Sequence, residues 1–106
     1  MRVYISGPIS GTTDFKERFR VAAERLTKLG IDFVNPAELY KSMPGAAHAD
    51  YIKVCKSMLG TCDVVMVLPG FNDSEGCMQE YELAKRLGLP IWMDLLGTVP
   101  KYDESV

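Results

Sequence analysis

Short apolar runs alternate along this chain with stretches whose apolar residues recur every three or four positions, and the two periods predict different elements. Residues 1 to 6 (Met-Arg-Val-Tyr-Ile-Ser) read as a strand that ends at Gly7. Over residues 13 to 29, Phe15, Phe19, Ala22, Leu26 and Leu29 fall on one side of a helix. Asp14 with Glu17 resembles a capping box for that helix, and Gly30 closes it. Residues 31 to 34 form a second strand, broken by Asn35-Pro36. A short helix over residues 37 to 42 precedes a turn at Met43-Pro44-Gly45. The next helix, residues 49 to 59, turns Tyr51, Val54, Cys55 and Met58 inward. Residues 63 to 68 are apolar without alternation, as in a strand covered on both faces. A helix over residues 74 to 88 ends at a glycine, and residues 90 to 94 give a fourth strand. The remaining residues, 95 to 106, are polar with a loose pattern and read as a tail or an inter-subunit arm.

Strands alternating with helices at this spacing predict an α/β fold. The architecture is a three-layer α/β/α sandwich with a flavodoxin- or Rossmann-like parallel sheet of four to five strands. The 106 residues make one domain, with a core over 2–94 and a tail over 95–106. Right-handed crossovers put the first strand between the second and the third, and the ligand crevice at the carboxyl ends of strands one and three. Two loops rich in glycine and polar side chains meet there: Gly7-Pro8-Ile9-Ser10-Gly11-Thr12 and residues 69 to 76. Both lead into helix N-termini, which favours an anionic group such as a phosphate. Neither loop is a Walker motif or a dinucleotide fingerprint.

One residue breaks the pattern. On the helix over residues 74 to 88 the inward stripe falls on Gly76, Glu80, Leu83, Ala84 and Leu87, so a carboxylate takes a place in an apolar face. Either Glu80 lies at the edge of that face and reaches water, or it is buried and used. Near the start of its helix, dipole and N–H groups favour the ionised form. An ionised, partly desolvated carboxylate beside a phosphate site suits attack on a sugar anomeric carbon, as in retaining glycosyl transfer. Tyr4, two residues before the first loop, is placed to hold that carboxylate, and reads equally as a core aromatic. Ser74 reads as the N-cap of the helix, a role compatible with touching a phosphate.

Composition narrows the partners. A net charge of −2 leaves no basic footprint for a nucleic-acid polymer, and no apolar run approaches the roughly 20 residues of a membrane span. Cys55, Cys62 and Cys77 show no paired metal spacing and read as reduced thiols in a cytoplasmic protein. With His48 as the only histidine a zinc site is not expected, and nothing in the sequence calls for another metal or an organic cofactor.

Tyr4-Ile5-Ser6-Gly7-Pro8-Ile9-Ser10-Gly11, then Cys62-Asp63-Val64-Val65-Met66-Val67, then Ser74-x-Gly76-x-x-x-Glu80 with Ala84, resemble the nucleoside 2-deoxyribosyltransferase superfamily over roughly residues 2 to 94. That group includes deoxyribosyltransferases, 2'-deoxynucleoside 5'-phosphate N-hydrolases and small phage and bacterial domains of this length. The resemblance implies Glu80 as nucleophile at C1', with Tyr4 as its hydrogen-bonding partner. It places Gly7, Pro8, Ile9, Ser10 and Gly11 along the sugar and phosphate, Ser74 at the phosphate, and Gly76 as a close-approach glycine. A serine rather than a carboxylate at position 74 favours a 5'-monophosphate, because a hydroxyl can donate to it.

The implied partner is therefore a small-molecule nucleotide or nucleoside, and the implied assembly a homo-oligomer with residues 102 to 106 as a possible donated segment. Two positions depart from the resemblance. Ser10 replaces an arginine found in some nucleotide hydrolases. Cys55 stands where an aspartate usually assists the leaving base, and a thiol is a weak donor. Asp73 is a possible substitute on the leaving-group side, or a solvated loop charge. The expected function is N-glycosidase or glycosyltransferase action on a (deoxy)nucleoside 5'-monophosphate through a glycosyl-Glu80 intermediate. The alternative is a nucleotide-binding or sequestering module without turnover.

Overall fold

A computed structural model describes residues 1–9 and 14–93. The expectations placed on Ser10, Gly11, Asp94 and the segment from 95 to 106 lie outside the described residues.

Four parallel strands, β1 (Arg2–Ser6), β2 (Asp32–Val34), β3 (Val64–Val67) and β4 (Ile91–Met93), form one sheet in the order β2-β1-β3-β4. The first strand is thus central and flanked by the second and third, as the crossover rule requires. Register is pinned at the start of the β1–β3 pair. There the Arg2 N–H donates to Asp63 Oδ2 at 2.8 Å and the Asp63 N–H to the Arg2 carbonyl at 2.8 Å.

Because side chains alternate along a strand, β1 and β3 each serve two faces. One face carries Val3, Ile5, Val64, Met66 and Leu68 and packs against Phe19, Ala22 and Leu26 of α1 (Phe15–Lys28). The other carries Tyr4, Val65 and Val67. It packs against Tyr51, Cys55 and Leu59 of α3 (His48–Leu59) and Ala84 of α4 (Glu75–Arg86). The result is the α/β/α sandwich, with the short helix α2 (Leu39–Ser42) in the connection after β2.

Three local expectations need correction. Asp14 sits at the N-cap of α1 but its side chain caps nothing, and Glu17 pairs with Arg20 at 2.6 Å instead of reaching back. Leu29 and Leu87 are more than half exposed, because each is the last residue before a glycine that turns the chain away from the sheet. At these ends Gly30 and Gly88 take φ of 71° and 72°, and the following N–H returns to the carbonyl five residues back: Ile31 to Leu26 at 3.0 Å, Leu89 to Ala84 at 2.9 Å. On α4 the inward place assigned to Leu87 is compensated at the other end by Cys77, which is buried.

Candidate functional site

The carboxyl ends of β1 and β3 run together, with the Leu68 N–H donating to the Ser6 carbonyl at 2.8 Å. Gly7 follows at once, and a Cβ there would lie 2.9 Å from Leu68 Cδ1 and 3.1 Å from Leu68 Cβ. Only a residue without a side chain lets the two chain ends come this close. The loops then touch. Gly70, at φ 85°, has room for a Cβ only at 3.4 Å from Pro8 Cγ. Arg18, from the helix on the opposite face of the sheet, reaches round to donate to the Pro69 carbonyl at 2.7 Å.

Past a single 3-10 turn (Phe71–Asp73), Ser74 begins α4, and its Oγ accepts the Cys77 N–H at 3.3 Å. A turn and a half further along, the helix delivers Glu80 to the sheet. Glu80 is 6% exposed, and its neighbours on β1 are fully buried. The Tyr4 hydroxyl donates to Oε2 at 2.5 Å and the Ser6 hydroxyl to Oε1 at 2.7 Å, so each carboxylate oxygen has its own donor. Tyr4 and Ser6 are two residues apart on one strand and therefore share a face.

Burial pushes the Glu80 carboxyl up to about 6, against the downward pull of the Tyr4 and Ser6 hydrogen bonds and the Lys56 charge. Desolvation outweighs the donors, so the ionised form expected from the sequence is favoured less than it would be in water. At neutral pH the group remains mostly ionised. Tyr4 is raised well above its usual value by burial first and the Glu80 charge second. Cys55 is pushed up to about 11, chiefly by burial, with Tyr4 and Tyr51 opposing. Cys77 is raised as well, again by burial, with Ser74 and Ser6 opposing. Around one carboxylate stand two neutral hydroxyls and two neutral thiols.

Glu80 forms part of the floor of a cleft of about 240 Å³. Gly7 and Ile9 line it from the end of β1, and Tyr51, Ile52 and Cys55 from α3. Ser74, Gly76 and Cys77 line it from α4, with Asp73, Glu75 and His48 at polar positions. The structure therefore brings Glu80, Gly7, Ile9, Ser74, Gly76, Cys55 and Asp73 to one cavity, with Tyr4 behind the carboxylate. Pro8 is buried against Gly70 and is not among the lining residues. Gly76 lines the cleft, but the closest approach it permits is to protein: a Cβ there would sit 2.9 Å from Ile52 Cδ1.

Asn35 caps the turn after β2, accepting the Ala37 N–H at 3.0 Å. It borders a different groove of about 560 Å³ along α1 and β2, where Arg20 pairs with Glu24 and Lys41 with Glu38. Sequence reasoning missed Ser6 and Cys77. The signal for Ser6 was present: it is a hydroxyl two residues from Tyr4 on a strand otherwise apolar through its middle. Among the described residues no group of three or more His, Cys, Asp or Glu could hold a metal, and no helix is long and apolar enough to cross a membrane.

The site is thus a buried carboxylate at the carboxyl ends of the two central strands of a parallel sheet. The chain is a member of the family described as domain of unknown function DUF4406, whose model matches residues 1–93. A search of curated proteins found no match.

Proposed function

We propose that this protein is an N-glycosidase or glycosyltransferase that cleaves the base–sugar bond of a (deoxy)nucleoside 5'-monophosphate. One observation carries the reading: a carboxylate buried to 6% exposure, with one hydroxyl on each oxygen, at the floor of a cleft beside the ends of β1 and β3. In the first step a Glu80 oxygen forms a bond to C1' as the C1'–N bond breaks. The departing base keeps the electron pair and takes a proton from solvent. Water, or a second base, then attacks C1' and releases Glu80.

Ser74 supports a phosphorylated substrate. Its side chain lines the cleft while its oxygen accepts the capping N–H, and a hydroxyl can donate as well as accept. The resemblance to deoxyribosyltransferases points to the same chemistry. Cys55 favours a second reading, in which the pocket binds nucleotide without turnover. A thiol held neutral and buried in the cleft wall gives a departing base little help.

The test is chromatographic detection of free base after incubation with each ribo- and deoxynucleoside and its 5'-monophosphate, with Glu80→Gln alongside. Base released from monophosphates by the wild type, and not by Glu80→Gln, supports the glycosidase. Release that survives Glu80→Gln rejects the nucleophile. No release from any substrate, with thermal stabilisation by a monophosphate, identifies the binding module.

A further inference from the structure

A carboxylate that must attack through one lone pair has to be held in a fixed plane, and a single hydrogen bond leaves it free to swing about the donor–acceptor line. Glu80 has two donors, from opposite ends of its carboxylate. The long Tyr4 side chain reaches Oε2 at 2.5 Å, and the short Ser6 side chain reaches Oε1 at 2.7 Å. Both start on the same face of β1, whose backbone is fixed by pairing with β3 at Tyr4↔Val65 and Ser6↔Val67. The frame is therefore set by the sheet rather than by a loop.

Ser6 is fully buried, in a strand whose other inward residues are apolar or aromatic. A buried hydroxyl needs a partner, and Ser6 donates to the side chain that lines the cleft. We infer that Ser6 is a positioning residue: together with Tyr4 it locks the plane of the Glu80 carboxylate so that the remaining lone pairs face the cleft.

The role rests on Glu80 being the nucleophile proposed above, yet the locking is measurable without turnover. Each donor favours the charged carboxylate, so losing Ser6 raises the pH at which Glu80 titrates. The experiment follows the carboxyl carbon of Glu80 by NMR across a pH series in protein carrying labelled glutamate. It compares wild type, Ser6→Ala and Ser6→Cys, and measures the pH profile of base release in the same three proteins.

In Ser6→Ala the titration midpoint rises by on the order of one pH unit, the loss expected for one hydrogen bond to a charged group. The acid limb of base release moves with it, and kcat falls roughly tenfold while KM is unchanged. Ser6→Cys, a weaker donor of nearly the same size, falls between the two. A folded Ser6→Ala protein whose midpoint and acid limb do not move overturns the inference even if wild type releases base. A moved midpoint in a protein that releases no base upholds the locking and rejects the glycosidase instead.

Discussion

The two faces of the sheet are built from the same strands to opposite ends. Under α1, Val3, Ile5, Val64, Met66 and Leu68 meet Phe19, Ala22 and Leu26, and among the described residues the buried polar side chains, Ser6 and Glu80, lie on the other face. Under α3 and α4, β1 presents Tyr4 and Ser6 to Glu80, with Cys55 and Cys77 alongside. Alternation along a strand makes the division possible, because residues one apart never share a face. The first face is committed to stability. The second accepts the cost of a buried carboxylate, and such a cost persists where the group has a use.

Truncation on the first face tests the division most severely. Phe19→Ala should lower unfolding stability by about 3–5 kcal/mol, measured by urea denaturation, because its ring is buried and the space cannot refill. The Glu80 titration midpoint should not change in that variant. At the junction of the faces, Gly7→Ala should cost about 1–3 kcal/mol, since its Cβ meets Leu68 Cβ at 3.1 Å, close to backbone that cannot swing away.

On the second face the expected effect depends on pH. The folded protein holds the Glu80 proton up to about 6 against an ordinary 4.5, so protonation favours folding. The stability this gives is fully present below 4.5 and is lost as pH rises through 6, a change of about 2 kcal/mol. Stability compared between wild type and Glu80→Gln across pH 4 to 8 should show the difference moving in the variant's favour as pH rises. A flat difference would mean that the carboxylate is solvated. The smallest effect belongs to Ser74→Ala, which removes the α4 cap at the cost of about 1 kcal/mol in thermal denaturation. If Ser74 also contacts phosphate, KM for a monophosphate rises more than KM for the matching nucleoside.

The sheet order, the layers and the anomaly at Glu80 were legible in the sequence because each rests on periodicity: two for strands, 3.6 for helices. Tyr4 was legible as a neighbour of the first loop. Ser6 was not singled out, because a serine in a strand carries no pattern of its own, and its meaning comes from a helix 74 residues away. Periodicity also says which side of a helix faces in, but not how far the helix overruns the sheet. Leu29 and Leu87 therefore read as core and lie in solvent, and Cys77, at the end of α4 nearest the site, was passed over. The Asp14–Glu17 pattern failed for a nearer reason: Arg20, three residues on, offered Glu17 a charged partner.

The bond from Arg18 to the Pro69 carbonyl crosses the division between the faces. It works as a guy-rope: one end is fixed to the helix on the apolar face, and the other holds the bend at Gly70 from which the loop descends to Ser74. A change at Arg18 therefore reaches the loop that carries Ser74, although Arg18 itself lines no part of the cleft.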